Sequence, residues 1–348
     1  MKKIVSLILS AVLMLLCAPC AFAEGEEKNA VYPPQSMLVL GDSISTGFRL
    51  YSYSAGNNYN TESYANLLAK ELHLTQEKSY KNLSIDGQTS DELLKKIQNG
   101  EYDNELSADL IVLTIGGNDL LGEFLTFLKE SIGLDLINVD GGFISADFTN
   151  PELMAKLNEL MNTINENIAG FSKNFSKILS ATHEKNENAY LILQTVYDPL
   201  ECLPIPDTVK NMLDEKIKLL NNTLNRCVEL ETDKSGDFIG VVDVYSAFKG
   251  DTDDLTNMLD GDIHPSVAGH KRIYEEMLKV VNAHSFCEPT SESLATTESK
   301  AEQADAALTN VNRKELGGVL ILSLFAAVFG ICVFIAIIIF IKRKKSGK

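Results

Sequence analysis

The sequence predicts an α/β fold, in which a parallel β-sheet is covered by helices on both faces to give a three-layer α/β/α sandwich. The first observation is that short apolar runs, typical of buried strands, alternate with longer stretches whose apolar residues recur at helical spacing. The second is the run DLIVLTI at 109–115, which is almost entirely apolar, as expected for a central parallel strand. The 348 residues contain no internal repeat and suffice for one large domain or two small ones.

The predicted strands and helices alternate from residue 37 to about residue 281. Strands are predicted at 37–40, 80–85, 109–115, 190–195 and 238–244. Helices are predicted at 62–72, from a cap at Thr89 or Ser90 to 97, from Pro151 to about 179, at 208–228, and from His264-Pro265 to about 281. Of the two cap candidates, Ser90 fits better. Residues 120–148 mix apolar residues with glycines, and we interpret them as an insertion near the edge of the sheet.

The first 23 residues have the organisation of a secretory signal peptide. Lys2 and Lys3 precede an apolar run at 4–16, and the small-x-small sequence AFA at 21–23 is typical of a cleavage site. The alternative interpretation is an uncleaved anchor helix. A cleaved signal peptide at 1–23 predicts that the rest of the chain is exported.

Residues 316–341 form a second apolar run, which has no charged residue and is long enough to span a bilayer. We expect a transmembrane helix; the alternative is a buried core helix. The basic residues at 342–348 then belong in the cytoplasm by the positive-inside rule. Residues 285–315 are rich in Ser, Thr, Ala and Glu and predict a flexible extracellular stalk. The sequence therefore predicts a single-pass cell-membrane protein with an extracellular domain at 36–284 and a cytoplasmic C-terminus.

Charge and cysteine content limit the function classes. The formal net charge is −17, and the segment between the two basic ends is more acidic still. Such a surface repels phosphate backbones, so we expect no nucleic-acid partner. Neither a CxxC pair outside the leader nor a His/Cys cluster with metal-ligand spacing occurs, and we expect no metal. Cys202 and Cys227 are a possible disulfide, which leaves Cys287 unpaired.

The candidate site begins at Ser43, directly after the first predicted strand in the sequence MLVLGDSIST. Gly41 and Asp42 turn the chain at the carboxyl end of that strand, where open α/β sheets bind their ligands. A serine hydroxyl needs a base to take its proton and donors to stabilise an oxyanion. Gly87 and Asn118 follow the second and third strands and are candidate donors, together with the backbone amide of Ser43. A plain turn glycine and a helix cap are the alternative interpretations of these two residues.

The base must be a histidine or a carboxylate. Among the five histidines, His264 is the best candidate, because it lies in a loop directly before a helix and follows Asp260 and Asp262. His270 lies within a helical pattern and is typical of a packed or exposed helix residue.

Four short blocks resemble the conserved blocks of the GDSL/SGNH hydrolase family and occur in the same order. They are GDS at 41–43, the glycine of NLSIDGQTS at 82–90, GGND at 116–119 and DIHP at 262–265. The resemblance spans 37 to about 281. It implies the SGNH hydrolase fold, a three-layer sandwich with a flavodoxin-like parallel sheet. It also implies that Ser43 is the nucleophile, that Gly87 and Asn118 are oxyanion donors with the Ser43 amide, and that His264 is the base.

The sequence departs from the family at the acid of the site. The family usually places this acid three residues before the histidine, and that position is Gly261 here. Asp260 and Asp262 flank the glycine, and we favour Asp262. The alternatives are Asp260 and a backbone carbonyl that orients His264.

The resemblance implies a serine ester hydrolase, a GDSL-type esterase or lipase that acts through an acyl-enzyme without a cofactor or metal. With the predicted leader and membrane anchor, we expect it to be extracellular and membrane-tethered. The substrate is left open between a lipid ester, an acyl thioester and an O-acylated glycan. The alternative function is a non-catalytic surface module that binds a glycan or a protein on the same scaffold. The oligomeric state is not predicted.

Overall fold

A computed structural model describes residues 32–127, 149–203 and 205–286. The predicted signal peptide at 1–23, transmembrane segment at 316–341 and basic tail at 342–348 lie outside these residues, as does nearly all of the predicted stalk. Within the described ranges, no helix combines the length and the apolar character needed to cross a membrane.

Five parallel strands form the sheet of the described domain. They are β1 Met37–Gly41, β2 Tyr80–Asn82, β3 Leu110–Thr114, β4 Tyr190–Gln194 and β5 Ile239–Val242. Their order is β2-β1-β3-β4-β5, and every neighbouring pair is parallel. This is the flavodoxin-like order. β2 lies on one side of β1, and the chain then crosses over so that β3 lies on the other side of β1. The predicted α/β fold with a parallel sheet is confirmed.

Helices connect the strands. In chain order they are α1 Ser43–Thr46, α2 Tyr64–Glu71, α3 Ser90–Gln98, α4 Gly117–Phe127, α5 Pro151–Lys185, α6 Asp207–Ser235, α7 Val244–Phe248, α8 Thr252–Leu255 and α9 Val267–Ala283. Short 3₁₀ turns lie at Glu105–Ser107 and Met258–Asp260.

Alternate residues of each central strand enter opposite cores. Leu38 and Leu40 of β1 pack with α3, α4, α5 and α6, whereas Met37 and Val39 pack with α2, α7, α8 and α9. Successive side chains of a strand point to opposite faces of the sheet, so all of them are buried only when both faces are covered. This explains why the central strands are apolar throughout. The described domain is therefore a three-layer sandwich, and the carboxyl ends of its strands form one edge, which we call the carboxyl edge.

The long helix α5 forms for reasons that are visible in the sequence. Asn150 caps its first turn by accepting from the backbone N–H of Glu152, and Pro151 takes the first helical position, where its missing N–H costs nothing. Its buried residues recur at helical spacing: Leu157, Leu160, Met161, Ile164, Ile168, Phe171, Phe175, Ile178, Leu179 and Thr182. The stripe continues past residue 179, so the helix ends later than predicted, at Lys185.

Three predictions about local structure need correction. Thr89, and not Ser90, caps α3, because its hydroxyl accepts from the Glu92 N–H while the Glu92 carboxylate accepts from the Thr89 N–H. The start of the predicted insertion is helical, since α4 continues to Phe127; residues 128–148 lie outside the described residues. The third correction concerns the cysteines.

The possible Cys202–Cys227 disulfide is wrong. Both side chains are free thiols in the described part of the chain. Cys227 is buried on α6 beside α5, where the Ser176 hydroxyl lies 3.3 Å from its sulfur. Cys202 lies in the loop after β4, with its sulfur 3.8 Å from the carbonyl oxygen of Pro199. The two cysteines thus lie in different local environments. Cys287 lies outside the described residues.

The folded domain extends beyond both of its predicted limits, residues 36 and 284. The backbone N–H of Phe286 donates to the carbonyl oxygen of Tyr32, which forms an isolated antiparallel bridge between the two ends. Phe286 is buried, and the His284 ring stacks on Tyr190 at a centroid distance of 3.7 Å. The folded part therefore continues at least to Phe286.

Candidate active site

The turn after β1 depends on glycine at position 41. Gly41 has φ of +131°, and a Cβ atom there would lie 2.0 Å from the carbonyl oxygen of Thr114 on the neighbouring strand β3. No side chain fits at that distance, so only glycine lets β1 and β3 approach each other at this edge. The turn places Asp42 and Ser43 directly over the end of β3.

Asp42 fixes the turn through a buried hydrogen-bond network. One carboxylate oxygen accepts from the Ile44 N–H at 3.1 Å, which caps α1, and from the Thr114 hydroxyl at 3.0 Å. Because the Thr114 hydroxyl donates to Asp42, it accepts from Ser45 at 2.6 Å, and the Ser45 hydroxyl accepts from Tyr64 at 2.5 Å. The network ties α1 to β3 and α2.

Burial also changes the acidity of Asp42. Loss of hydration raises the pKa of its carboxyl to about 6, while the hydrogen bonds from Ile44 and Thr114 and the nearby His264 oppose that rise. The residue immediately before Ser43 is therefore a carboxylic acid whose ionisation is costly.

Ser43, His264 and Asp262 are in direct contact. His264 Nε2 lies 2.9 Å from Ser43 Oγ, and His264 Nδ1 lies 2.5 Å from Asp262 Oδ1. An ionised carboxylate only accepts hydrogen bonds, so we assign the imidazole proton to Nδ1, and Nε2 then accepts from the Ser43 hydroxyl. This tautomer leaves the lone pair of Nε2 directed at the serine proton.

The loop that carries His264 supplies the acid that sequence reasoning left open. Asp262 contacts the imidazole and also accepts from the His264 backbone N–H at 3.2 Å. Asp260 is exposed at the end of the Met258–Asp260 turn. Gly261, with φ of +77°, turns the chain between them, so the aspartate two residues before the histidine reaches the ring.

The surroundings of Asp262 favour its ionised form. Burial alone would raise the pKa of this carboxyl, but the hydrogen bonds from His264 and its electrostatic attraction, with a smaller contribution from Arg49, hold the pKa below its ordinary value. Arg49 Nε lies 4.0 Å from Asp262 Oδ2. The Phe48 ring packs on the His264 ring at a centroid distance of 4.8 Å. Arg49 and Phe48 thus restrain the two side chains from the open side.

Asn118 lies in the first turn of α4 and lines the cavity beside Ser43. Its side-chain amide donates to the Gln88 carbonyl at 3.0 Å, which uses one of its two N–H groups and leaves the second available. Gly87 precedes Gln88 in a turn with φ of +76°, but it is not among the residues that line this cavity. The structure therefore brings Asn118 to Ser43 and leaves the role of Gly87 a prediction.

The neighbouring residue of the GGND block has a structural contact. Asp119 accepts hydrogen bonds from the backbone N–H of Ser90 at 3.0 Å and from its hydroxyl at 2.6 Å. These bonds join the start of α4 to the start of α3, and so hold Asn118 in place beside the cavity. Within the three described ranges, no group of three or more His, Cys, Asp or Glu side chains is arranged to hold a metal ion.

Sequence reasoning missed two residues of the site. Gln194 ends β4 and lines the cavity, and Arg49 approaches Asp262 from the loop after α1. The signal for Gln194 was a polar residue at the end of the apolar run YLIL. Nothing local distinguished Arg49 from other surface cations.

A parallel α/β domain with a serine, a histidine and an aspartate in contact at its carboxyl edge has the architecture of a hydrolase. Residues 39–272 match the GDSL-like Lipase/Acylhydrolase family. The chain belongs to this family and is a carboxylic ester hydrolase of the GDSL/SGNH type.

One protein resembles this chain in sequence, and solved structures resemble it in fold, over most of its length. The uncharacterized protein YpmR of Bacillus subtilis is 22% identical over 293 residues, which cover 80% of this chain and 98% of YpmR. An extracellular lipase from Streptomyces rimosus superimposes with a TM-score of 0.51 at 16% identity, covering 71% of this chain and 99% of the lipase. A phospholipase A1 from Streptomyces albidoflavus gives 0.50 at 17% identity, with coverages of 71% and 99%. The two structural likenesses show the shared fold.

Proposed function

We propose that this protein is a membrane-tethered serine esterase of the cell exterior, in which Ser43 accepts the acyl group of an acyl or acetyl ester and water then releases the acid. The observation that carries the proposal is the contact series from Ser43 through His264 to Asp262. A non-catalytic binding module needs no such contacts, so they argue against that alternative.

In the first half of the reaction, Ser43 Oγ attacks the ester carbonyl carbon as its proton passes to His264 Nε2. The imidazolium that forms is stabilised by Asp262, whose carboxylate accepts from Nδ1–H. The negative charge moves to the carbonyl oxygen. Collapse of the tetrahedral intermediate breaks the ester C–O bond, and His264 gives its proton to the departing alcohol.

Donors for the carbonyl oxygen come from the same edge of the sheet. The free N–H of the Asn118 side chain is one, and the backbone N–H of Ser43 is another, because the first residue of a helix has no intrahelical acceptor. The Gly87 amide is the third proposed donor. In the second half of the reaction, His264 takes a proton from water as the water oxygen attacks the acyl carbon. The bond between that carbon and Ser43 Oγ then breaks, His264 returns the proton to Oγ, and the carboxylic acid leaves.

The proposed location rests on the sequence. A leader at 1–23 and an uncharged run at 316–341 followed by basic residues support an exported domain with one membrane anchor. In intact cells, added protease should therefore release the folded domain by cutting within 287–315, while an epitope placed after Lys348 stays protected. Digestion of the epitope with the domain left intact would place the domain on the cytoplasmic side.

A fluorophosphonate probe tests the nucleophile directly. The full-length protein in detergent should gain one phosphonyl group, which peptide mass spectrometry locates at Ser43. Ser43→Ala should abolish labelling, and His264→Ala should slow it by several orders of magnitude because the two groups act as a unit. Ser107→Ala is the matched control, since Ser107 is an exposed serine that is not among the residues lining the cavity. Labelling of Ser43→Ala at the wild-type rate would disprove the assignment.

A further inference from the structure

The cavity beside Ser43 is small and mostly apolar. Ile44, Ile115, Leu121, Val196 and Ile263 supply its apolar lining, and Ser43, Asn118 and His264 lie at its reactive end. Its volume is about 40 Å³. Since a buried water needs roughly 10–15 Å³ of such volume, the cavity holds about three non-hydrogen atoms. The cavity is open at one side, so a longer acyl chain would extend beyond it.

Gln194 breaks the apolar lining of this cavity. β4 pairs with β3 through Leu193 and Leu113, so Gln194 and Thr114 end adjacent strands side by side at the carboxyl edge. Gln194 is only 6% exposed, and its Oε1 has no hydrogen-bond partner among the described residues. Burying an amide without a partner is costly, so the cavity is suited to a ligand that pairs with it.

A neutral hydroxyl is the group that suits this position best. A carboxamide presents an oxygen that accepts and an NH₂ that donates, and a hydroxyl pairs with either one. A carboxylate would be repelled by Asp42, which lines the same cavity. An ammonium group would have to lose its hydration among five aliphatic side chains, which is more costly than burying a hydroxyl.

The acyl side of the ester is the part that this cavity fits. The acyl group stays bonded to Ser43 through both halves of the reaction, whereas the alcohol must leave before water can attack. A recess behind the nucleophile can hold the group that remains bonded, but it would delay the release of an alcohol.

Building on the proposed function, we infer that the cavity beside Ser43 is an acyl pocket for a small hydroxy acid, whose hydroxyl pairs with the side-chain amide of Gln194. The substrate class is thus an ester of an acid with about three non-hydrogen atoms beyond the carbonyl carbon.

Three acyl groups of equal size test the pairing in the full-length protein. Lactyl, isobutyryl and alanyl esters of one alcohol differ only in carrying a hydroxyl, a methyl or an ammonium group. Their kcat/KM values are divided by the rates of hydroxide hydrolysis, which removes differences in intrinsic reactivity. The lactyl ester should exceed the isobutyryl ester by about 10- to 100-fold, the range expected when a buried polar partner is left unpaired by the analogue.

The variant Gln194→Met keeps the side-chain volume and removes the amide. It should bring the lactyl-to-isobutyryl ratio close to one. Gln98→Met is the matched control, because it makes the same change at an exposed position at the end of α3 and should leave the ratio unaltered. Octanoyl esters should be hydrolysed at least about tenfold less efficiently than butyryl esters, because the longer chain exceeds the cavity.

The two proposals fail in different ways. If the fluorophosphonate labels Ser43 but the ratio is the same in wild type and in Gln194→Met, water pairs with Gln194 and only the hydroxy-acid inference is overturned. A preference for the alanyl ester, an octanoyl rate equal to the butyryl rate, or a Gln194→Met effect that follows the alcohol would overturn it as well. Absence of both labelling and hydrolysis would overturn the proposed function itself.

Discussion

The turn that carries Ser43 and the loop that carries His264 are held in different ways. The turn is fixed by the sheet: Gly41 lies against the Thr114 carbonyl, and Asp42 is bound to the Thr114 hydroxyl. The loop is fixed by hydrogen bonds among its own residues and from one tyrosine, and by Phe48 and Arg49, which contact its side chains. The N–H of Asn257 donates to the His264 carbonyl at 2.9 Å, and the Tyr197 hydroxyl donates to the Ile263 carbonyl at 2.7 Å.

The precise geometry of this site therefore has two different sources. The nucleophile belongs to a contiguous block whose geometry is set by two adjacent strands, so a change there disturbs the fold as well as the chemistry. The histidine loop is anchored in the core by Met258, but Asp262 and His264 belong to neither hydrophobic cluster, so a change at these two residues should disturb the chemistry and leave the fold intact. Four predictions test this difference.

The largest expected effect is on catalysis and comes from the loop. Asp262→Asn should lower kcat by about 10⁴-fold, because the amide cannot hold the Nδ1–H tautomer or stabilise the imidazolium. Asp260→Asn is the matched control and should retain nearly full activity, since Asp260 is exposed. The melting temperature of both variants should stay close to wild type. Equal, mild losses of kcat in both would assign the orienting role to a backbone carbonyl instead.

The next effect is on folding and comes from the turn. Gly41→Ala should lower the free energy of unfolding by more than about 3 kcal/mol, because its Cβ would overlap the Thr114 carbonyl in a left-handed backbone conformation. Gly122→Ala makes the same change in the interior of α4, where a Cβ would meet nothing within 4 Å, and should raise stability by about 0.5–1 kcal/mol. Urea titrations measure both. A stable Gly41→Ala protein would show that the strands can separate here.

A smaller, pH-dependent effect also comes from the turn. Asp42 has a pKa of about 6 in the folded protein and about 3.9 in an unfolded chain, so folding favours its protonated form. The stabilisation that this pKa difference gives the folded protein is fully present below pH 4 and is lost as the pH rises through 6. The free energy of unfolding then falls by about 2–3 kcal/mol. Asp42→Asn should reduce the fall in the free energy of unfolding between pH 4 and 6 by this amount, and the remainder belongs to other buried carboxyls such as Asp198, whose pKa burial also raises to about 6. Asp260→Asn should leave the fall unchanged, and a fall of wild-type size in Asp42→Asn would contradict the assignment to Asp42.

The smallest effect concerns Arg49, which lies in the loop after α1 and faces Asp262 of the histidine loop. Its exposed guanidinium helps to keep the pKa of Asp262 low, so Arg49→Gln should raise that pKa, and acid should abolish activity at a higher pH. At neutral pH the loss should be less than about tenfold, as for other exposed ion pairs, and salt should reproduce it in the wild type. Arg226→Gln, which removes an exposed pair with Glu229, is the control. An unchanged carboxyl titration of Asp262, followed by NMR, would contradict the prediction.

The same comparison explains what the sequence could predict. The strands, the parallel sheet and the position of Ser43 follow from apolar runs that end in a Gly-Asp-Ser turn, because these features are local. His264 was also located, but its acid was left open, since the choice between Asp260 and Asp262 depends on how Gly261 turns the loop. Gln194 and Arg49 were missed because their positions depend on strand register and on a loop conformation.

The bridge between Tyr32 and Phe286 holds the two ends of the domain next to each other. The chain enters just before β1 and exits where His284 stacks on Tyr190, the first residue of β4, so both connections are made at the amino ends of the strands. Ser43 lies at the opposite ends, one strand length or about 17 Å away. Because the two ends meet, a short linker can close the domain into a ring, or the whole domain can be inserted as a cassette into a surface loop of another protein. In either arrangement the reactive serine lies at the opposite end of the strands from the new linker or junction.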